Sequence, residues 1–389
     1  MKFDRVVCLV MDGCGAGAAP DAADFGDSGE NEGHTLRNVW NAAGGFDTPL
    51  LQRLGILAAA GIETGGGVEA AYGRMREISI GKDTVTGHWE MMGIHLEKPL
   101  PLYPDGFPPE VIGEFEERIG RGSLGNFPAS GTEIIQRLGP EHISTGMPIV
   151  YTSADSVFQM ACHEDVVPVE ELYRFCEIAR EILREPHNVG RVIARPFIGT
   201  ADAGFTRTGR RKDLPLEPPR NLVDVIAERV CPVFGIGVVP QVFAFRGFRK
   251  VKRTQNNAEH FDMLMEALNS DARFIWANFE DFDMLYGHRN DPEGFAKSLE
   301  TFDGYIAETL GRLREEDLFI LTADHGNDPT TPSTDHSREY VPIALWNLGM
   351  KGPAALGDMD GFWHVGAAVA DALGLPFERA SSPLAVLGA

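Results

Sequence analysis

Short apolar segments rich in β-branched residues recur along the 389-residue chain and strongly limit what it can fold into. Each ends in turn or polar residues, and amphipathic helical patterns lie between several of them, as in residues 169–183 and 295–313. The segments are RVVCLVMDG, MPIVYTSAD, RVIARPFIG, CPVFGIGVV, RFIWANFED, LFILTADHG and YVPIALWN. Strands that alternate with amphipathic helices predict an α/β fold with a mostly parallel central sheet.

Two segments rich in proline and glycine, residues 97–110 and 213–221, indicate domain boundaries. The chain between them has strand and helix patterns of its own. We therefore predict a core domain formed by residues 1–97 and 218–389, with residues 98–217 inserted into it as an α/β cap domain.

Composition excludes several classes of function. The formal net charge of -22 argues against a nucleic-acid surface or an anionic membrane as partner, since both require clustered Lys and Arg. Apolar stretches stay shorter than the roughly 18 residues that a membrane span needs. The five cysteines are scattered without CxxC spacing, so we predict neither a disulfide framework nor a thiolate metal site, and we expect a cytoplasmic protein. The sequence gives no prediction of oligomeric state.

Acidic residues and histidines follow three of the predicted strands. These are Asp12, then Asp283 with His288, and Asp324 with His325, while TPSTDHSREY adds Asp335 and His336. The carboxyl ends of parallel strands meet at one edge of a sheet, so these groups are expected to converge. Carboxylates mixed with imidazoles suit Mn²⁺ or Zn²⁺, and there are more of them than one ion uses. A two-metal site is predicted, of the kind that catalyses phosphoryl transfer.

The segment DTVTGHWEMMG, residues 83–93, is a candidate partner for such metals. A helix that begins at its threonines would direct free N–H groups at a bound phosphate, and Thr84 would be a metal-held nucleophile or phosphate carrier. The alternative is that Thr84 or Thr86 only caps the helix. A further alternative, a dinucleotide fingerprint at Gly13, Gly15 and Ala18, is weakened by Pro20 and by the lack of an acidic strand end downstream.

Seven segments together resemble the phosphopentomutase family of the alkaline phosphatase superfamily. They are DGCGAGAAPDA, GKDTVTGHWEMMG, ASGTEI, VYTSADSVFQ, VGRVIARPF, DFDMLYGHRNDP and TADHGNDPTTPSTDHSREYVP. The resemblance implies an alkaline-phosphatase-like core with an inserted cap. It also implies that Thr84 is phosphorylated and lies near two Mn²⁺ ions, one held by Asp12, Asp324 and His325 and the other by Asp283, His288 and His336.

The resemblance also points to substrate residues in the cap. It places Ser153 and Asp155 near the sugar, and Arg191 and Arg207 near the substrate phosphate. The residues themselves agree in part, because basic side chains cluster here in an otherwise acidic chain, and Arg binds phosphate through a two-pronged fork. They are Arg191, Arg195, Arg207, Arg210, Arg211 and Lys212. The alternative is a solvated basic face.

The activity implied by the resemblance is the interconversion of the 1- and 5-phosphates of ribose and deoxyribose. Phospho-Thr84 would give a sugar bisphosphate intermediate, and a trace of bisphosphate would activate the enzyme. A mutase of the same mechanism acting on another sugar phosphate, a metal-dependent phosphohydrolase and an inactive metal-binding protein remain alternatives.

The resemblance is incomplete at three positions. Val238, Gln241 and His260 stand where the family has lysine, aspartate and glycine. Either a cation from Arg246, Arg249 or Lys250 replaces the lysine, or the pocket suits another sugar phosphate.

Overall fold

The computed structural model describes residues 3–153, 156–350 and 352–387. They form two compact units: the larger contains the described residues up to Lys98 and from Pro218 onwards, and the smaller contains Pro99–Glu217. The smaller unit therefore interrupts the larger one in sequence.

The strands are β1 (Arg5–Met11), β2 (Ala71–Arg76), β3 (Leu124–Pro128), β4 (Ile149–Thr152), β5 (Val157–His163), β6 (Arg191–Thr200), β7 (Gly204–Arg207), β8 (Lys212–Pro215), β9 (Phe234–Ile236), β10 (Phe274–Phe279), β11 (Asp317–Thr322), β12 (Val341–Trp346) and β13 (Ala354–Asp360). The α-helices are α1 (Thr35–Ala43), α2 (Pro49–Arg53), α3 (Ile56–Ala59), α4 (Thr84–Met91), α5 (Pro109–Ile119), α6 (Gly131–Thr145), α7 (Val169–Ile182), α8 (Leu222–Arg229), α9 (Val239–Val242), α10 (Asn257–Leu268), α11 (Pro292–Leu310) and α12 (Trp363–Leu373).

The larger unit is built on a sheet with the strand order β13-β2-β12-β11-β1-β10-β9. Its neighbours pair in parallel except β12, which runs antiparallel to β11 and β2. Every residue of β1, β10 and β11 is buried, which explains why these strands are continuous apolar runs and do not alternate. The predicted mostly parallel α/β sheet is confirmed, and its carboxyl edge carries the acidic residues that follow these three strands.

The dinucleotide alternative is wrong. In the described residues no α-helix begins after β1 until Thr35, so the glycines that follow β1 do not open a helix.

The smaller unit has its own sheet, ordered β3-β4-β5-β6-β7, with β8 also paired to β6. Successive residues of β4 point to opposite faces: Val150 packs with residues of α5 and α7, whereas Ile149 and Tyr151 pack with Ile134 and Ile135 of α6. Helices thus cover both faces. Throughout the described segments, none of the helices combines the length and apolarity required to cross a bilayer.

Arg338 holds together the loop that leads into α4. The side chain is only 2% exposed, and its Nη1 lies 2.7 Å from Glu77 Oε2. It also donates to the carbonyl oxygens of Glu77, Ser79 and Gly81 at 2.6 to 2.8 Å. Burial, followed by repulsion from Glu90, raises the pKa of Glu77, and Arg338 opposes this rise. Because the loop ends at Asp83, this network fixes where Thr84 begins its helix.

Replacing Arg338 by Met should lower the free energy of unfolding by about 3 to 5 kcal/mol, because it leaves the Glu77 carboxylate buried and unpaired. Arg53→Met is the control, since the Arg53–Glu69 pair is 47% and 52% exposed. It should cost less than about 1 kcal/mol. Urea unfolding followed by tryptophan fluorescence measures both losses, and equal losses would contradict this role for Arg338.

Candidate metal and phosphate site

The acidic and imidazole groups predicted as metal ligands come together at the carboxyl edge of the larger sheet. Asp12 follows β1, Asp324 and His325 follow β11, and the turns after β10 carry Asp283 and His288. His336 comes from the connection between β11 and β12. Two sets of these residues have ligand atoms within 4.8 Å of one another: Asp283, His288 and His336, and Asp12, Asp283 and His325. Asp283 belongs to both sets, so it lies between them.

The ligand atoms are close enough to share cations. His288 Nε2 lies 3.1 Å from Asp283 Oδ2, and His336 Nε2 lies 3.3 Å from Asp283 Oδ1. His325 Nε2 lies 3.3 Å from Asp12 Oδ1 and 3.4 Å from Asp324 Oδ2. Asp324 thus lies beside the second set, in contact with His325.

Backbone hydrogen bonds orient two of the imidazoles. His288 Nδ1 donates to the carbonyl of Thr334 at 2.8 Å, and His325 Nδ1 donates to that of Gly326 at 3.2 Å. These bonds place the proton on Nδ1, so that each Nε2 directs a lone pair into the cluster. This is the arrangement that metal-binding histidines require.

Three carboxylates buried together repel one another strongly. Asp12, Asp283 and Asp324 are 3%, 8% and 0% exposed. Burial, and then repulsion from Asp324 and Asp283, raises the pKa of Asp12 well above its usual value. In the described part of the chain, Asp12 Oδ1 and Asp324 Oδ2 have no hydrogen-bond donor although both are buried. Divalent cations would offset this repulsion and satisfy these oxygens, so the residues fit a two-metal site.

Thr84 lies beside this cluster at the start of α4. Its Oγ1 is 3.2 Å from His325 Nε2. The first turn of α4 can approach the backbone of Asp324 closely because it contains Gly87, which has no Cβ. A Cβ at this position would collide with the carbonyl oxygen of Asp324. His88 strengthens the arrangement, since its Nδ1 donates to the Thr84 carbonyl at 2.9 Å and lies 3.4 Å from Asp324 Oδ2.

The two threonines of this segment have different environments. The Thr86 hydroxyl donates to Asp83 Oδ2 at 2.6 Å, so it belongs to the cap of the helix. Asp83 is itself the N-cap, because its Oδ1 accepts from the N–H groups of Val85 and Thr86. The N–H groups of Val85 and Thr86 are therefore not free to face a phosphate. The alternative that Thr84 or Thr86 is the N-cap of α4 is wrong.

Two asparagines that were not predicted from the sequence support the ligands. Asn278 Nδ2 donates to Asp12 Oδ2 at 2.5 Å, and Asn327 Nδ2 donates to Asp283 Oδ1 at 2.6 Å. Asn278 had a recognisable signal, because it is a polar residue within the otherwise apolar and fully buried strand β10.

The missing lysine is not replaced by the cations considered from the sequence. The Arg246 guanidinium is paired with Asp224 at 2.7 Å, and Arg249 with Asp271 at 2.8 Å. The backbone N–H of Arg249 donates to Val233, at the amino end of β9, so Arg249 and the adjacent Lys250 lie at the opposite edge of the sheet from Asp12.

In the smaller unit, Arg207 is part of a cationic cluster at the start of α6. Its guanidinium and the Tyr151 hydroxyl both lie against Gly131, the first residue of this helix. Burial raises the pKa of Tyr151, whereas Arg207, Arg195 and Arg211 lower it. The Arg207 Nε and Tyr151 Oη atoms are buried and have no hydrogen-bond partner in residues 3–153, 156–350 and 352–387. A cationic group with unsatisfied neighbours suits an anionic ligand.

The other predicted substrate residues lie elsewhere or cannot be placed. Arg191, at the start of β6, has its Nη1 3.9 Å from Asp213 Oδ2. Arg207 pairs with Phe197, six residues further along β6. The backbones of Arg191 and Arg207 are thus about 20 Å apart. Arg195, two residues before Phe197, lies closer to Arg207. Ser153 follows β4, two residues after Tyr151, and Asp155 lies outside the described residues.

Comparison with known proteins gives the family. A profile of the Metalloenzyme superfamily matches residues 239–377, which contain five of the predicted metal ligands. The phosphopentomutase of Caldanaerobacter subterraneus subsp. tengcongensis is 50% identical over 375 residues, 95% of this chain and 94% of its own. That of Symbiobacterium thermophilum is 50% identical over 377 residues, 96% of this chain and 95% of its own.

The solved structures agree on the fold. The PH0037 protein from Pyrococcus horikoshii superposes with a TM-score of 0.50 at 16% identity, covering 97% of this chain and 99% of its own. This likeness bears on the fold alone, and it agrees with the predicted α/β fold. Because relatives at 50% identity extend over nearly its whole length, the chain belongs to the phosphopentomutase family of mutase enzymes.

Proposed function

We propose that the protein interconverts the 1- and 5-phosphates of ribose and deoxyribose through a phosphorylated Thr84. The observation that carries the proposal is the position of the Thr84 hydroxyl, 3.2 Å from His325 within a cluster of buried carboxylates and imidazoles. A hydroxyl is a weak nucleophile unless its surroundings stabilise its deprotonated form.

In the proposed reaction, phospho-Thr84 transfers its phosphoryl group to the free hydroxyl of the sugar monophosphate. The bond between phosphorus and Thr84 Oγ1 breaks, a bond to the sugar oxygen forms, and the sugar hydroxyl loses its proton. The resulting bisphosphate reorients and returns its other phosphoryl group to Thr84. This releases the isomeric monophosphate, whose freed oxygen takes up a proton. A trace of sugar bisphosphate is needed to phosphorylate Thr84 at the outset.

The chain holds Thr84 rigidly for these transfers. Asp83 caps its helix, His88 binds its carbonyl, and Arg338 fixes the preceding loop. We propose that Asp12, Asp324 and His325 hold one divalent cation and Asp283, His288 and His336 the other, with Mn²⁺ as the expected ion. When bound, the cations supply charge stabilisation for the oxygens of the transferring phosphoryl group.

We also propose that the cationic cluster of the smaller unit binds substrate phosphate. Arg207 is the principal residue, supported by Arg195 and Tyr151. The unsatisfied Arg207 Nε and Tyr151 Oη support this assignment. Ser153 and Asp155 remain proposed contacts of the sugar, and Arg191 a more distant contributor of positive charge.

Thr84→Ala should abolish mutase activity, because it removes the atom that carries the phosphoryl group. Thr86→Ala is the matched control: it removes a hydroxyl that donates to Asp83, so it should leave a folded enzyme with partial activity. Isomerisation of ribose 1-phosphate after bisphosphate priming measures both. Full mutase activity in Thr84→Ala would exclude the proposal, and release of inorganic phosphate by the wild type would indicate a phosphohydrolase instead.

Asp283→Asn should lose bound metal and turnover together, because Asp283 contacts both His288 and His336. Asp335→Asn, which changes an exposed carboxylate next to His336, should retain two ions per chain. Elemental analysis of dialysed protein gives the stoichiometry, and Mn²⁺ should restore activity to chelated wild type. Undiminished activity in protein stripped of metal would contradict the two-cation site.

Arg207→Lys should raise KM about tenfold with a smaller change in kcat, since a lysine loses the two-pronged contact with phosphate. Arg174→Lys, an exposed substitution on α7, should leave KM unchanged. Steady-state kinetics on ribose 5-phosphate tests this, and equal KM values for the two variants would remove Arg207 from the substrate site.

A further inference from the structure

A small group of residues that are not proposed metal ligands lies where β9 and β10 end, next to the proposed metal centre. We call it the β9–β10 corner, formed by Gly237, Val238, His260 and Glu280. Asn278 lies between this corner and the proposed metal centre. Its side chain donates to Asp12. Its carbonyl oxygen lies against Gly237, since a Cβ built on Gly237 would be only 2.6 Å from it. The corner is therefore on the same edge of the sheet as Asp12.

The polar atoms of this corner are buried without partners. His260 is 0% exposed, and neither of its ring nitrogens has a hydrogen-bond partner within the described ranges; the same holds for Glu280 Oε1. The two side chains are 3.6 Å apart between His260 Nε2 and Glu280 Oε1, which is too long for a hydrogen bond. Unsatisfied buried acceptors are costly and call for a specific explanation.

The backbone is shaped to make room for this pair. Gly237 has φ +74°, and a Cβ there would lie 2.7 Å from Glu280 Oε1 and 3.3 Å from His260 Nε2. A residue with a side chain would therefore displace the pair. The Glu280 side chain is nevertheless 23% exposed, so part of it is accessible from solvent.

The charge of the corner identifies the kind of group it binds. Val238 brings no charge, and Arg246 and Arg249 are paired elsewhere in the larger unit. A carboxylate repels phosphate, and it accepts hydrogen bonds from neutral donors. The donors that a sugar phosphate provides are its hydroxyl groups.

We infer that Glu280 accepts a hydrogen bond from a ring hydroxyl of the sugar phosphate, and that His260 is a positioning residue that orients the carboxylate. The inference rests on the proposed function and deepens it, because it makes Glu280 the residue that determines selectivity among sugar phosphates differing in one hydroxyl. Sites that bind a substrate hydroxyl reject analogues that lack it, since their own polar group is then left unpaired.

The test compares four substrates: ribose 5-phosphate, its 2-deoxy form, and its 2- and 3-epimers arabinose 5-phosphate and xylose 5-phosphate. In the wild type, kcat/KM for the preferred sugar should exceed that for the poorest by about ten- to hundredfold. Glu280→Ala should bring this ratio within about threefold by slowing only the preferred sugar. Glu280→Gln, which keeps an acceptor oxygen, should retain part of the preference.

His260 needs its own readout, because its loss could simply weaken packing. His260→Ala should reduce the preference ratio while metal content stays at the wild-type value, and His260→Gln should restore part of the ratio. Glu266→Gln is the control, an exposed carboxylate on the same helix α10 as His260, and it should leave all four kcat/KM values unchanged.

The outcomes separate the inference from the proposed function. A wild type that isomerises none of the four sugars overturns the proposed function. An active wild type without preference, or a preference ratio that Glu280→Ala leaves unchanged, overturns the inference alone.

Discussion

The mutual repulsion of three buried carboxylates is the constraint around which the larger unit is organised. Asp12, Asp283 and Asp324 are almost fully buried, and each is the group that ends or follows a strand of the sheet. Burial and the proximity of the other two carboxylates raise the pKa of Asp12. Burial also acts on Asp283 and Asp324, but the neighbouring histidines outweigh it and lower the pKa of both. Folding tolerates this only where cations or protons compensate the charge. The three imidazoles whose Nε2 atoms face the carboxylates make cations the fitting partner.

The scaffold keeps this charge in place through interactions outside the cluster. The parallel strands bring the residues to one edge, while carbonyls of Thr334 and Gly326 and the amides of Asn278 and Asn327 set their orientation. Thr84 comes from a separate loop and helix, held by the buried Arg338 and by Asp83. A rigid sheet edge and an independently anchored hydroxyl are therefore joined at one point, and the proposed chemistry depends on that junction.

Much of this could be predicted from the sequence, for physical reasons. Fully buried parallel strands are apolar along most of their length, so β1, β10 and β11 were recognisable, and so was the convergence of the aspartates that follow them. Hydrogen bonds between distant segments leave no such periodic signal. The N-cap at Asp83 is different, because the contact is local and Asp is a preferred N-cap residue, so the sequence did carry a signal for it. That Arg195 rather than Arg191 lies near Arg207 follows only from the pairing of β6 with β7. The exclusion of Arg249 as a replacement for the lysine likewise required the register of β9.

The proposed chemistry depends most on Thr84 as the carrier of the phosphoryl group. Tandem mass spectrometry of the protein, digested after incubation with Mn²⁺ and a ribose bisphosphate, locates the modified residue directly. One phosphoryl group on Thr84 is predicted, lost again when excess ribose 5-phosphate is added. A phosphoryl group on Thr86 or another residue, or none in protein that turns over substrate, would contradict the account.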